Sequence, residues 1–153
     1  LAQGVDWKAS VKYATTGVLG TAGNLLGTGS TTTYNNGTSG VGATLTGSSN
    51  GALTVDGQAV SANQRILVKN ETSSNAPYNG IYVVTNAGSA GAAYVLTRAA
   101  DFNQPSEIPS AFTFVEDGST LADTGWVCTT NAPVVVEVLV VAELATKLAP
   151  NVL

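Results

Sequence analysis

From Leu53 onward the chain alternates short apolar runs with polar turns, at intervals of about a dozen residues. Arg65-Ile66-Leu67-Val68-Lys69 is an apolar run between polar ends, and Gly80-Ile81-Tyr82-Val83-Val84-Thr85 is β-branched and aromatic, as pleated strands prefer. Ala93 to Arg98, Ala111 to Glu116 and Gly125 to Thr129 continue the series. A strand over Ala111–Glu116 puts Phe112, Phe114 and Glu116 on one face and Thr113 and Val115 on the other. Val134 to Val141 is the strongest run. It reads as a strand buried on both faces or in a subunit contact, with Val134, Val136, Val138 and Val140 as the contact residues. Asn36-Gly37, Asn50-Gly51, Asp56-Gly57, Asn79-Gly80 and Asp117-Gly118 mark turns, because Gly takes positive φ freely and Asn or Asp tolerates it.

The N-terminal third differs. Eleven of the 17 glycines fall between Gly17 and Gly57, among Thr31-Thr32-Thr33, Asn35-Asn36 and Ser48-Ser49-Asn50. Residues 17–50 read as long Gly/Thr/Ser-rich loops around one or two short strands, Val41 to Thr46 being the better one. Val18, Leu19, Leu25, Leu26, Leu45 and Leu53 supply the apolar anchors that a disordered linker lacks. Asp6 to Ala14 reads as one helical turn or a strand. Ala142 to Leu148, with Leu144 and Leu148 at i, i+4 and Pro150 beyond, reads as a short C-terminal helix at the start of a tail over 142–153. Without a long amphipathic helix, the pattern predicts a single all-β domain over 1–153. The expected architecture is a sandwich or barrel of short antiparallel strands with long Gly/Thr-rich loops.

Composition narrows the chemistry. Six Lys and Arg against ten Asp and Glu leave a net charge of −4, and charged residues are only 10% of the 153. Globular chains usually carry about 25%, so the polar surface rests on 20 Thr, 12 Ser and 12 Asn. Six scattered cations give no electrostatic footprint for nucleic acid. The apolar runs are too short for a membrane-spanning helix, and no basic stretch precedes an apolar segment in the manner of a signal peptide. A chain that opens on Leu1 is read as a processed product or a piece of something longer.

With no His there is no imidazole base or ligand, and one Cys closes neither a disulfide nor a thiolate cage. Gly27-Thr28-Gly29 and Gly40-Val41-Gly42 begin like a dinucleotide fingerprint, but Thr32 and Leu45 stand where its third Gly belongs, so both read as turns. Glu116-Asp117-Gly118 with Asp123 approaches a calcium loop without its spacing. Carboxylates are the remaining acid–base groups; Asp101, Glu107, Glu116, Asp117 and Asp123 cluster in sequence and are read as solubilising charges rather than a glycosidase pair. No catalytic, cofactor or metal residue is assigned, and no enzyme is expected. Trp126 and Cys128 are read as core, Trp7 as a packing anchor, and Arg98 with Asp101 as a loop-fixing ion pair. Tyr34 is the aromatic expected to be exposed, and with Asn35 and Asn36 it forms the candidate binding site. Deletion of Gly29 to Gly40 is expected to spare folding and weaken attachment to a partner.

Several segments together resemble a repeat domain of bacteriophage fibre and tail-appendage proteins. They are Asp6-Trp7-Lys8-Ala9-Ser10-Val11 with Ala14-Thr15-Thr16, Val55-Asp56-Gly57, Arg65-Ile66-Leu67-Val68-Lys69-Asn70, and Asn79-Gly80-Ile81-Tyr82-Val83-Val84. Thr97-Arg98-Ala99, Asp101-Phe102, Phe114-Val115-Glu116 and Ala122-Asp123-Thr124-Gly125-Trp126-Val127 follow in order. The resemblance runs over about residues 5–130 and brings no catalytic residue with it. It implies a virion structural protein, a tail-fibre or surface-appendage module acting in assembly and host adhesion. The implied partners are other copies of itself as a homotrimer, other virion proteins and a host surface glycan. A capsid decoration or head-fibre protein is the alternative, and a glycan-binding or glycan-degrading tailspike domain the third reading. Residues 17–50 are longer than the compact family pattern, and the 142–153 tail has no counterpart in it.

Overall fold

The computed structural model describes residues 4–20, 32–130 and 144–148. Among these residues twelve strands appear in chain order. The first six are β1 (Asp6–Trp7), β2 (Tyr13–Ala14), β3 (Thr32–Asn35), β4 (Thr44–Gly47), β5 (Thr54–Val55) and β6 (Gln58–Ala59). They are followed by β7 (Arg65–Val68), β8 (Gly80–Asn86), β9 (Val95–Arg98), β10 (Ala111–Val115), β11 (Thr124–Cys128) and β12 (Leu144–Leu148). Two short 3-10 helices, Ser73–Tyr78 and Pro105–Glu107, are the only helical elements among the described residues.

The strands form a four-stranded sheet, β1-β10-β11-β12, a six-stranded sheet, β2-β7-β8-β9-β4-β3, and the β5-β6 hairpin. The two large sheets stack as a sandwich, and among the described residues no barrel closes. Alternation along each strand splits the apolar residues of the six-stranded sheet between two cores. Ala14, Leu67 and Ile81 face the four-stranded sheet, where they join Val11, Phe102, Ile108, Ala111, Val115, Trp126 and Cys128. Tyr13, Ile66, Val68, Tyr82, Val84, Leu45 and Leu96 face the other way and are closed over by Leu19, Leu53, Val55, Val60 and Tyr94. The β5-β6 hairpin thus acts as a third layer. Its turn, Asp56-Gly57, has φ of 48° and 74°, the two successive positive values that a two-residue hairpin of this twist requires.

Several expectations need correcting. The segment expected as a C-terminal helix contains β12 instead, antiparallel to β11, with Gly125 opposite Leu148 and Cys128 opposite Leu144. An unfilled sheet edge outweighs the helical spacing of two leucines. Not all pairing is antiparallel: β1 runs parallel to β10 and β2 parallel to β7. Asn79-Gly80 is no hairpin tip, because Asn79 ends the first 3-10 helix and Gly80 opens β8. Gly is still required there: a Cβ would lie 2.4 Å from Arg98 Nη1 and 3.1 Å from Phe102 Cε1, at φ +150°. Trp7, read as a packing anchor, packs edge-on against Phe112 but is otherwise exposed, and Val18 is also exposed. Leu25, Leu26 and Val134 to Val141, including the expected contact valines, lie outside the described residues.

The hairpin layer is fastened by one carboxylate. Asp56 is almost wholly buried. Its Oδ2 accepts the Thr120 and Leu121 amides at 2.9 and 2.8 Å, and its Oδ1 accepts the Thr120 hydroxyl at 2.7 Å. Asp56→Ala should cost on the order of 3 kcal/mol, since two amides and a hydroxyl lose their acceptor together. Urea titration should register this as a lower midpoint with an unchanged slope.

Candidate functional site

Tyr34, Asn35 and Asn36 sit at the end of β3 and in the loop that follows. Strand alternation sends Tyr34 and Asn35 to opposite faces of the sheet. Asn35 is exposed, and its Oδ1 accepts the Gly37 amide at 2.9 Å, which shapes the turn. Tyr34, expected to be exposed, is half-buried against the second core. Its ring stacks on Tyr78 with centroids 4.7 Å apart and planes 28° from parallel, and its hydroxyl donates to Asn36 Oδ1 at 2.7 Å. Since β3 pairs along its length with β4 and carries a core-packing ring, deleting 29–40 would remove a strand, contrary to expectation.

Beneath Tyr34 lies a feature the sequence did not announce. Arg98 is 3% exposed, on the β9 face that also carries Leu96. Its Nη2 donates to Pro77 O at 2.8 Å and to the Tyr34 hydroxyl at 3.2 Å, and its Nη1 donates to Asn79 O at 3.1 Å. The guanidinium also lies 5.0 Å from the Tyr82 ring centre and 5.8 Å from that of Tyr34. A buried cation is costly unless its donors are engaged. Here backbone carbonyls at the end of the 3-10 helix, the Tyr34 hydroxyl and two aromatic faces engage the two terminal nitrogens, while Nε is buried without a hydrogen-bond partner; Arg98 serves as that helix's C-terminal cap. It does not pair with Asp101. Asp101 instead forms a two-pronged ion pair with Arg65, Nη1 to Oδ1 at 3.1 Å and Nη2 to Oδ2 at 2.9 Å.

The neighbouring carboxylate, Glu71, is 6% exposed. It accepts the Leu19 amide at 2.7 Å, and the Asn79 side chain holds its backbone from both sides, accepting from Glu71 N at 3.0 Å and donating to Glu71 O at 2.9 Å. Burial pushes the Glu71 carboxyl above its usual range, only partly offset by the Leu19 amide. Burial likewise raises the Tyr82 and Tyr94 phenols, and the Tyr94 hydroxyl is paired with that of Thr32.

Asp101, Glu107, Glu116 and Asp117, four of the five acids weighed for a catalytic pair, have structural partners. Glu107 Oε2 accepts the Asn103 and Gln104 amides at 2.9 and 3.0 Å. Glu116 takes the Ser10 hydroxyl, and Asp117 lies 3.3 Å from Lys12 Nζ. Lys69 places its ammonium 4.1 Å from the ring centre of the buried Trp126, and desolvation lowers its pKa, the charge of Asp56 opposing. Cys128 is buried, as expected, which raises its thiol pKa and leaves it a small apolar filler. Among the described residues, no group of three or more His, Cys, Asp or Glu is placed to hold a metal ion.

No family model matches the chain, no curated protein matches it, and no solved structure matches its fold.

Two outcomes follow from this cluster. Arg98→Lys should destabilise the fold by about 2 kcal/mol, because one ammonium cannot span three acceptors set for a planar fork; thermal melting would register the loss. Glu71→Gln keeps an acceptor for the Leu19 amide without a buried charge. Since the folded-state pKa of Glu71 is raised, its contribution is fully present below the ordinary value of 4.5 and is lost as pH rises through the folded value. Glu71→Gln should therefore exceed the parent in stability at neutral pH and match it in acid, as read by urea midpoints across that range.

Proposed function

We propose that the chain is a structural module of a bacteriophage virion, a tail-fibre or surface-appendage domain acting by assembly and host adhesion. One observation carries this reading beyond the resemblance: the motif residues, scattered over more than a hundred positions, meet one another in space. Ser10 donates to Glu116, and Thr15 donates to Asn70 at 3.0 Å. Arg65 grips Asp101, Lys69 covers Trp126, and Arg98 holds Asn79. Residues that define such a pattern and spend their polar groups on each other describe a scaffold, and a scaffold performs by what it presents. The partners this reading names are other copies of the chain, other virion proteins and a surface glycan of the host.

Location in the particle tests it. Peptides of the chain should be recovered by mass spectrometry from purified particles of the phage that encodes it, and gold-labelled antibody should mark the tail or its appendages. Label confined to the capsid would make the chain a decoration protein instead. Its absence from particles would overturn the reading.

A further inference from the structure

Three of the five turn dipeptides pair Asn with Gly, a pair with a reactivity of its own. No side chain shields a glycine amide nitrogen, so it can close on the preceding asparagine carboxamide to form a cyclic imide. The structure treats the three pairs differently. Asn79 is buried, and the Glu71 backbone holds both polar atoms of its carboxamide. Asn50 is exposed and its carboxamide makes no hydrogen bond among the described residues. The Gly51 amide beside it, however, is spent on a backbone carbonyl, Ala92 O at 3.2 Å.

Asn36 is half-buried, and of the three it alone has a donor on its carboxamide oxygen that is backed by a cation. Tyr34 Oη donates to Asn36 Oδ1 at 2.7 Å, and Arg98 Nη2 donates to Tyr34 Oη at 3.2 Å. Each bond in such a chain polarises the next, so the charge of Arg98 is felt at Asn36 Oδ1. A donor already aimed at an oxygen stabilises negative charge as it develops there. The nucleophile is exposed: Gly37 N donates to Asn35 Oδ1 at 2.9 Å, a surface side chain that can turn away and leave the nitrogen to solvent. Only Gly suits this position, since φ is +59° and a Cβ would lie 2.2 Å from Val41 O. The backbone therefore keeps the reactive dipeptide in place.

We propose that Asn36 is a site of spontaneous covalent modification in the folded protein, its carboxamide activated by Tyr34 with Arg98 behind it. Gly37 N gives its proton to solvent hydroxide and bonds to Asn36 Cγ, while Oδ1 takes the negative charge under the Tyr34 hydroxyl. The bond from Cγ to the side-chain nitrogen then breaks, and that nitrogen takes a proton from water and leaves as ammonia. Water adds to the resulting succinimide, and the ring opens to aspartate or isoaspartate. The aspartate product puts a carboxylate at the end of a chain rooted in Arg98, which makes no ion pair of its own among the described residues. Modification thus adds negative charge to the loop named as the candidate binding site, whatever the function of the chain.

Incubation in mildly alkaline buffer, followed by peptide mapping with mass spectrometry, reads each site by the mass gained when an amide becomes an acid. The same incubation in urea gives the rates of the unfolded chain, where the three pairs should convert alike. In the folded protein Asn36 should convert before Asn50, although Asn50 is the more exposed, and Asn79 should stay intact. Tyr34→Phe keeps the ring that stacks on Tyr78 and removes only the donor. It should slow Asn36 about fivefold relative to Asn50, a ratio that a general loss of stability does not lower. A hydroxyl that merely restrained the loop would act in the opposite sense, because its loss would free the carboxamide and speed the reaction. The proposal is overturned if Asn36 in Tyr34→Phe keeps or exceeds its parent rate relative to Asn50, or if Asn50 converts first in the folded parent.

Discussion

The architecture depends on one extended segment, residues 6–15, which is hydrogen-bonded to both sheets in turn. Its first half runs parallel to β10: Asp6, Lys8 and Val11 donate their amides to the carbonyls of Ser110, Phe112 and Phe114 at 2.8–2.9 Å. Its second half crosses to the six-stranded sheet, where Lys12 and Thr15 donate to Arg65 and Leu67 at 2.7 and 2.9 Å. Stacked sheets otherwise meet only through side chains, which can slide. A strand bonded to both fixes their register by directional contacts as well as by packing. Val11 and Ala14 enter the core between the sheets along this same segment, so the backbone tie and the apolar filling are set together.

Polar side chains reinforce that crossing. Thr15 is fully buried and faces Asn70 and the Lys69 amide, while Ala9 O accepts from Thr113 and Arg65. Buried polar contacts of this kind add modest net stability when made and cost more when broken. They favour one arrangement over near alternatives rather than adding much to the depth of the native state.

The antiparallel core of this fold was legible because its signals are local. Ile66, Val68, Tyr82, Val84 and Leu96 alternate with period two, and β7 through β11 fall within a residue or two of the expected runs. Asp56-Gly57 is a turn for reasons contained in the dipeptide itself. What escaped was non-local. Two-residue parallel strands have no periodicity to detect, and a partner about a hundred positions away leaves no trace beside Asp6 or Trp7. Arg98 failed for the same reason. A charge near Asp101 in the sequence suggests a surface pair, and nothing local reveals that three acceptors around residues 34 and 77–79 will draw it inward. Of the candidate binding residues, the turn chemistry of Asn35 and Asn36 was readable from Asn36-Gly37, whereas the ring stacking of Tyr34 depended on where Tyr78 would lie.

The way cations are used connects the fold to what its surface can do. The chain has six, and five of their side chains are committed inside the molecule: Lys8 to Asp6, Lys12 to Asp117, Arg65 to Asp101, Lys69 to Trp126 and Arg98 to its carbonyl and tyrosine cage. Long-range attraction for a polyanion requires cations free to exchange their counterions, and these five already have partners. The described surface is left with hydroxyls, amides, exposed carboxylates such as Glu116, Asp117 and Asp123, and the exposed rings of Trp7 and Phe114. Toward a polyanion such a surface offers shape, hydrogen bonding and desolvation at short range rather than attraction from a distance. Those are the terms on which a subunit held at high local concentration within an assembly can associate, because proximity there replaces electrostatic capture.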